Sequence, residues 1–353
     1  MARGLARAFT RAKIEVVPVA DGGDGTAEVM ADALGGKVVT CDVQGPDGAP
    51  VAATYASLPQ GRAVIELARA SGLALVPGKN DPLTASSFGT GQLIGDALAA
   101  GAKNIILAIG GSATNDGGAG ALTALGATFS DAAGNALAPG GAALAGLDTL
   151  DIGRLTSTLR GVSLEIASDV ANPLCGPNGA TAVYGPQKGA SPSDVRILDA
   201  ALSHYADVVE RSIGARLRDV PGAGAAGGVG FGFLALAGAR LRPGAELIFE
   251  ALAFDKRIEG ADLIVTGEGK LDRQTLSGKA PFAVAQAGRR HGIPVVAIVG
   301  SLICTAGDLE ELGLKTAVSI LREPMTLEEA SRGAEPLIED VAERLGRALA
   351  LDL

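Results

Sequence analysis

Short apolar runs recur along the chain, each bounded by glycine, proline or aspartate. They span residues 14–19, 38–43, 63–67, 104–109, 164–167, 262–266, 295–299 and 316–321. Continuous apolar runs of this length are typical of β-strands that are covered on both faces. Runs with helical periodicity lie between several of them, at residues 92–100, 194–217, 279–291 and 327–351. This alternation predicts an α/β protein with a largely parallel sheet.

Two further segments carry signals for helices, one before the last helical run and one at the start of the sequence. Thr326 precedes the last helical run and Glu329 follows three positions later, which is the capping-box pattern. The first twelve residues, MARGLARAFTRA, are basic and amphipathic. They run directly into a strand-like segment and lack the apolar region of a secretory signal, so we expect a structural helix rather than a targeting peptide.

Length and turn signals indicate two domains. A chain of 353 residues is near the size at which one core stops growing. The strongest turn cluster, PGKNDP at residues 77–82, marks a crossing between domains. We predict a discontinuous domain made of residues 1–76 and 290–353, interrupted by an inserted α/β domain at residues 77–289.

Composition excludes several classes of function. The net charge of -9 disfavours a protein that binds a nucleic-acid backbone, and 3% aromatic residues disfavour stacking platforms for bases. Three distant cysteines and two histidines fit neither a disulfide framework nor a histidine zinc site. The uncharged run from Gly222 to Ala239 contains seven glycines among eighteen residues, which favours a buried loop and core helix over a membrane span. We expect a cytoplasmic protein with no nucleic-acid or membrane partner.

The first motif that could carry chemistry is ADGGDGT, which contains Asp21 and Asp24. It joins a strand-like run to a helical one, so backbone N–H groups and a helix N-terminus converge where an anion is favoured. Two aspartates would repel that anion unless a metal or substrate hydroxyls lay between them. The alternative is a tight turn with aspartate caps.

Two glycine-rich segments are candidate phosphate loops. Residues 110–118 follow an apolar strand and hold Ser, Thr, Asn and Asp together, although they match neither the dinucleotide fingerprint nor the P-loop. Residues 222–228 offer only backbone to a ligand, which suits close approach to phosphates. Tight packing of small residues is the alternative for the second segment.

Two charged segments also follow apolar strands. Asp169 and Asn172 offer hard oxygen ligands suited to Mg²⁺, and Lys188 lies close enough in the chain to meet a phosphate, although an Asp–Pro turn would have the same sequence. Residues 266–279 combine two carboxylates, three cations and several glycines. Phosphoryl transfer needs this mixture of metal ligands, charge neutralisation and backbone donors, and a solvated charged loop is the alternative.

Six segments together resemble the glycerate kinases of the first bacterial type. They are VPVADGGDGT, IGGSATNDGG, SDVANPLCGPNGA, YGPQKGA, PGAGAAGG and TGEGKLDRQTLSGK. The resemblance implies phosphorylation of D-glycerate that depends on ATP and Mg²⁺, commonly at the 2-hydroxyl. It also implies a Rossmann-like parallel-sheet domain interrupted by a second α/β domain, with the active site in the cleft between them. Members of the family usually begin with a strand and a loop reading roughly APDSFKGSLSA, which this sequence lacks, so we expect weakened activity if that loop contacts the substrate.

Residue chemistry and the matching motifs suggest roles for the site residues. The predicted catalytic residues are Asp272, Glu268, Asp169 and Lys188, of which Asp169 and Glu268 are also the predicted metal ligands. The predicted substrate-binding residues are Asp21, Asp24, Asn172, Lys270 and Lys279. The predicted nucleotide-binding residues are Gly110, Gly111, Ser112, Thr114, Asn115, Asp116, Gly224, Gly227 and Gly228.

Two other functions remain open at this point. One is a non-catalytic sensor that binds small anions or nucleotides in the same cleft. The other is a kinase of a related hydroxy acid, or of the 3-hydroxyl of glycerate. A homodimer is compatible with the sequence, which carries no signal for the oligomeric state.

Overall fold

A computed structural model describes residues 1–20, 22–23, 25–272 and 280–350. Its packing divides the chain into two compact units. The central unit comprises Ala20–Ile248, and the terminal unit comprises Met1–Val19 together with Phe249–Leu353. The terminal unit is therefore discontinuous in the sequence.

Helices and strands alternate over most of the described chain. The strands are β1 (Lys37–Gln44), β2 (Pro50–Leu58), β3 (Arg62–Glu66), β4 (Asn104–Ala108), β5 (Thr128–Ser130), β6 (Thr149–Asp151), β7 (Ser163–Ala167), β8 (Arg240–Arg242), β9 (Ile264–Leu271), β10 (Val295–Leu302) and β11 (Thr316–Ser319). The helices are α1 (Ala2–Ala8), α2 (Thr26–Leu34), α3 (Ala68–Ser71), α4 (Phe88–Ala99), α5 (Ala119–Ala124), α6 (Gly153–Thr158), α7 (Ala180–Tyr184), α8 (Pro192–Ile213), α9 (Ala225–Leu236), α10 (Gly244–Ala251), α11 (Phe254–Arg257), α12 (Ala280–His291), α13 (Ala306–Leu312), α14 (Leu327–Arg332) and α15 (Ala334–Leu349).

The central unit is built on a six-stranded sheet in the order β1-β2-β3-β4-β7-β8. Strands β3, β4, β7 and β8 are parallel, and Glu66, Ala108 and Ala167 lie side by side at their carboxyl ends. The apolar runs of β3, β4 and β7 are buried on both sides, as expected for strands covered on both faces. Ile105 and Leu107 belong to the main core, whereas Ala108 packs with Leu247 of α10.

Strand β2 runs antiparallel to both of its neighbours, β1 and β3, and the other pairs of this sheet are parallel, in agreement with the predicted largely parallel sheet. A tight turn joins β1 to β2, in which Gly45 N donates to Ala49 O at 2.6 Å and Gly48 has a φ of 83°. A connection this short permits only antiparallel pairing. Strand β1 lies at the sheet edge with mostly exposed side chains, so it is not covered on both faces.

The terminal unit contains a three-stranded parallel sheet in the order β11-β10-β9. Helix α1 packs against α15, where Leu5 is buried and a Cβ on Gly4 would overlap the Glu339 carbonyl oxygen. Arg3 and Arg7 form ion pairs with Glu339 of α15. The N-terminal segment is therefore a structural helix in the described structure, as expected.

Most predicted strands are confirmed to within a few residues, and the differences have physical reasons. Residues 14–19 are irregular, and Val17 and Val19 pack onto the terminal unit's core without a β-ladder. Strand β2 was not predicted, because its alanines weaken the apolar signal. The capping box of Thr326 and Glu329 is confirmed. The long C-terminal helix is broken at Gly333, between α14 and α15.

The predicted domain boundaries at residues 77 and 289 differ from this division. Each would separate two paired parallel strands: β3 from β4 in the central unit, and β9 from β10 in the terminal unit. The observed division leaves both sheets whole.

The glycine-rich run from Gly222 to Ala239 forms a buried loop and the core helix α9. Among the described residues, we find no helix with the length and apolar character needed to cross a membrane.

Candidate active site

The carboxyl ends of β3, β4 and β7 lie together in the central unit, and the loops that follow them carry many of the predicted site residues. Ligands of open α/β sheets bind at this edge. The described part of the ADGGDGT motif reaches it too, because a Cβ on Gly22 would lie 3.1 Å from the Ala167 side chain. A Cβ on Gly110 would lie 3.7 Å from the Gly22 carbonyl oxygen. Asp21 and Asp24 themselves lie outside the described residues.

The loop after β4 divides into an exposed start and a buried end. Gly110 and Gly111 are exposed, whereas Ser112, Thr114, Asn115 and Asp116 are buried. The backbone at Gly110 and Gly111 is therefore open to a ligand, as the nucleotide-binding prediction requires. The four side chains that follow are enclosed by protein.

Asp116 connects several backbone segments inside the central unit. Its carboxylate accepts hydrogen bonds from Ser87 N and Ser87 Oγ at 2.8 Å each, from Gly118 N at 3.1 Å and from Gly120 N at 3.3 Å. Burial raises the pKa of this carboxyl group, against the hydrogen bonds, which lower it. These bonds hold the starts of α4 and α5, so the observed role of the side chain is structural.

Lys188 lies beneath the same loop rather than on the surface. The side chain is 2% exposed, and Nζ donates a hydrogen bond of 2.7 Å to the Thr114 carbonyl oxygen. Burial lowers the pKa of Lys188 to about 7, against the Asp116 charge, which raises it. The arrangement lets Lys188 support the loop from inside.

Three polar atoms near this loop are buried and find no hydrogen-bond partner among the described residues: Thr114 Oγ1, Asn115 Oδ1 and the Tyr205 hydroxyl. The amide nitrogen of Asn115 donates to Thr181 Oγ1 at 2.8 Å. Unpaired polar atoms are rare in protein interiors because each one costs free energy. The interior of the loop therefore contains polar atoms whose hydrogen-bonding capacity the described residues do not satisfy.

Asp169 and Asn172 lie in the loop after β7 and have different surroundings. Asp169 is exposed, and its Oδ1 accepts a hydrogen bond of 2.9 Å from Gly244 N at the start of α10. Asn172 is half-buried; its Nδ2 donates to Asn178 O and its Oδ1 accepts from the Tyr184 hydroxyl, both at 2.8 Å. Both side-chain groups of Asn172 thus hold the loop together.

The glycines at 224, 227 and 228 are buried against backbone and side chains of the central unit. A Cβ on Gly224 would overlap the Pro173 carbonyl oxygen, and one on Gly227 would overlap the Thr114 carbonyl oxygen. A Cβ on Gly228 would lie 2.7 Å from Leu174 Cδ1. The structure therefore favours the packing alternative for this segment over a loop open to phosphates.

Sequence reasoning missed a charged group at the carboxyl end of β3, formed by Glu66, Arg69 and Glu28. Glu66 Oε1 accepts from Ala27 N at 2.7 Å, and Glu66 Oε2 accepts from Arg69 Nε at 2.9 Å. Arg69 Nη2 donates to Glu28 Oε1 at 2.6 Å. Glu66 ends an apolar strand, so the rule applied to the other strand ends would have found this group.

The terminal unit contributes a row of charged residues on β9. The strand continues through TGEGKL to Leu271, where the sequence predicted a loop after Thr266. Because side chains alternate along a strand, Glu268, Lys270 and the following Asp272 share one face. Lys270 Nζ lies 3.1 Å from Asp272 Oδ2, with Lys270 more exposed than Asp272. Lys279 lies outside the described residues.

The described residues fit a magnesium ion in the way that kinases often hold one. None of them form a group of three or more histidine, cysteine or acidic side chains that could hold a metal. Mg²⁺ is usually held by one or two carboxylates together with substrate phosphates. Glu268 offers one such hard oxygen donor on β9. Asp272 shares its face but lies about 13 Å further along the chain, which is too far for the two carboxylates to hold one ion.

These features define an α/β enzyme with charged groups at the carboxyl ends of parallel strands. Comparison with known proteins makes the assignment specific. The chain matches the Glycerate kinase family over residues 1–350, and it belongs to that family.

Relatives match over almost the whole chain. It is 45% identical to the glycerate kinase of Bacillus subtilis (strain 168), over 99% of this chain and 92% of that protein. It is 44% identical to the glycerate 2-kinase of Escherichia coli (strain K12), over 99% of this chain and 93% of that protein. A crystal structure of glycerate kinase 2 from Salmonella typhimurium LT2 is similar with a TM-score of 0.90 and 42% identity, over 99% of this chain and 92% of that one. The predicted two-domain α/β fold and the glycerate kinase activity are thereby confirmed, and the enzyme is a phosphotransferase.

Proposed function

We propose that this enzyme transfers the γ-phosphoryl group of ATP to the 2-hydroxyl of D-glycerate in a reaction that requires Mg²⁺. One observation carries the proposal: 44% identity to a glycerate 2-kinase along nearly the full length of both chains. The carboxylates and lysine on β9 and the charged groups at the carboxyl ends of β3 and β7 are the groups that phosphoryl transfer uses.

On the terminal unit, the charged residues on β9 and directly after it have different roles in the reaction. Glu268 would hold Mg²⁺, which would supply charge neutralisation for the phosphates of the nucleotide. Asp272 accepts the proton that leaves the attacking hydroxyl. Lys270 offsets negative charge on the transferred group. Positioning and electrostatics supply most of the acceleration in this chemistry, so the base need not be strong.

On the central unit, the exposed backbone of Gly110 and Gly111 contacts nucleotide phosphates. The buried side chains of Lys188 and Asp116 act indirectly, because they hold the loop that presents this backbone. Asp169 remains a candidate contact for the substrate, since it is exposed at the carboxyl end of β7.

One coupled assay tests the proposal. The purified enzyme is supplied with ATP, Mg²⁺ and D-glycerate, each omitted in turn, and ADP release is followed in parallel with product consumption by enolase. We expect ADP release only when all three are present, with a matching enolase signal, because enolase consumes only 2-phosphoglycerate.

Each other outcome has a defined meaning. ADP release without the enolase signal places the phosphate on the 3-hydroxyl and overturns the regiochemistry. Binding of D-glycerate and nucleotide in a thermal-shift assay without turnover would identify a sensor. Faster turnover of another hydroxy acid would reassign the substrate.

A further inference from the structure

The turn that follows β3 places one arginine rigidly at the carboxyl edge of the central sheet. Leu67 N donates to Ala108 O at 2.8 Å, and Ala113 N donates to Ser71 O at 2.9 Å. Leu73 N also donates to Gly111 O at 2.9 Å. These bonds fix α3, which carries Arg69, to the strand and the loop that present Gly110 and Gly111.

The Arg69 guanidinium is held along one edge and leaves its end available. Nε donates to Glu66 and Nη2 donates to Glu28, so the side formed by Nε and Nη2 is occupied. The hydrogen bonds described for Arg69 leave both N–H groups of Nη1 and one of Nη2 for another acceptor. Two parallel N–H groups at the end of the fork match the two oxygens of a carboxylate. The side chain is 37% exposed, so a small ligand can reach it.

Two carboxylates surround Arg69, and a helix dipole offsets the charge of one of them. Glu66 is 3% exposed and accepts from Ala27 N in the first turn of α2. The positive end of the α2 dipole offsets the Glu66 charge at this position. Glu28 is the second carboxylate partner of the guanidinium.

Two other cations of the central unit are less suited to this task. Lys188 is buried and donates inward to the Thr114 carbonyl. Arg242 uses Nη1 for Glu165 and Nη2 for Glu246, so the end of its fork is already engaged. Among these three, Arg69 combines a fixed guanidinium with an available bidentate end.

We infer that Arg69 binds the carboxylate of glycerate through Nη1 and Nη2, and that Glu66 and Glu28 are positioning residues that orient its guanidinium. The inference rests on the proposed function, in which D-glycerate is the acceptor. Arg69 would then be the residue that makes the enzyme select a hydroxy acid over an uncharged polyol.

The test compares Arg69→Met and Arg69→Lys with the unchanged enzyme. Binding of D-glycerate is measured by isothermal titration calorimetry without nucleotide, and KM and kcat are measured for D-glycerate and for its uncharged amide, D-glyceramide. For Arg69→Met we expect KM and Kd for D-glycerate to rise about 10- to 100-fold, because a charge-assisted bidentate contact is lost. The preference for D-glycerate over D-glyceramide should fall by the same factor, while KM for ATP stays unchanged.

Arg69→Lys should raise KM less than Arg69→Met, because a lysine keeps the charge but not the planar fork. Glu66→Gln should raise KM for D-glycerate with the D-glyceramide KM unchanged, because the guanidinium loses its strongest orienting partner. Arg62→Met is the matched control, since Arg62 begins the same strand at its opposite end. It should leave every constant unchanged.

The outcomes separate this inference from the proposed function. If the unchanged enzyme binds no D-glycerate, the proposed function fails whatever Arg69 does. If it binds D-glycerate and Arg69→Met retains the same Kd and the same preference over D-glyceramide, the inference is wrong. Should Arg69→Met not fold, unchanged selectivity in Arg69→Lys overturns the bidentate contact.

Discussion

Asp116 in the central unit and Asp272 in the terminal unit lie in similar sequence contexts but in opposite environments. Each follows an apolar strand and a stretch rich in glycine and polar residues. Asp116 is buried and accepts hydrogen bonds from the starts of two helices, whereas Asp272 lies at the end of β9 beside an exposed lysine. The pattern thus does not determine how deeply the carboxylate is buried or which groups it contacts.

The strongest test of this difference is Asp272→Asn. If Asp272 accepts the proton of the hydroxyl, kcat should fall by about 10²- to 10⁴-fold, the usual contribution of a positioned base. Thermal unfolding should change little, since the side chain is not part of the core. Asp262→Asn, an exposed aspartate that precedes β9, is the control. Near-normal kcat in Asp272→Asn would remove this residue from the mechanism.

Asp116→Asn should have the opposite effect, with a large loss of stability and a small change in kcat. An amide cannot replace a buried carboxylate that accepts four hydrogen bonds, and we expect a loss of about 2–4 kcal/mol in the free energy of unfolding. Urea denaturation measures this loss, and kcat of the fraction that stays folded should change much less than in Asp272→Asn. Full stability with strongly reduced kcat would instead indicate a direct catalytic role.

Two glycines of the central unit allow the stability cost of a packing overlap to be separated from the cost of a left-handed backbone conformation. Gly227 and Gly78 have the same φ of 67°, but only at Gly227 would a Cβ overlap a neighbouring carbonyl oxygen. Gly78→Ala should cost about 1–2 kcal/mol from the left-handed conformation alone. Gly227→Ala should cost about 2 kcal/mol more, because it adds an overlap. Equal losses in urea denaturation would contradict the packing role of residues 224–228.

Lys188→Met gives a smaller effect that depends on pH. Burial lowers the pKa of Lys188 to about 7 in the folded protein, so between about pH 7 and the ordinary lysine value the unfolded chain binds more protons than the folded one. The stability contribution of the lysine should therefore rise with pH across that window, by at most about 1.4 kcal/mol per unit.

The Lys188→Met variant lacks this pH-dependent contribution. Its free energy of unfolding, relative to that of the unchanged enzyme, should therefore fall as pH rises from 7 to 10. Lys79→Met, at a lysine in an exposed turn, provides the baseline. Parallel stability curves for the Lys188→Met variant and the unchanged enzyme would show that Lys188 keeps an ordinary pKa.

The sequence predicts the parallel strands well, because β3, β4, β7 and β10 are apolar runs whose burial requires no knowledge of their neighbours. It also places β1 to within one residue but does not predict its exposure or its antiparallel pairing, which depends on the turn at residues 45–49, and it misses β2, whose alanines carry little apolar signal. In the candidate site, the ends of β3, β4 and β7 were located to within one residue, whereas β9 continues past its predicted end at residue 266 to Leu271. The inward direction of Lys188 depends on how the segment at 186–188 packs under the loop, which no local pattern encodes. Arg69 and Glu66 could have been identified from the sequence, since Glu66 lies at the end of a predicted strand and Arg69 follows it.

The discontinuity of the terminal unit affects how the chain is made. During synthesis, Ala20–Ile248 leaves the ribosome as one uninterrupted segment, so every residue of the central unit is present before the terminal unit can be completed. Helix α1 is made before the central unit but packs on α15, which is made after it. The apolar face of α1, with Leu5, therefore has no α15 to pack on until the whole central unit has been translated.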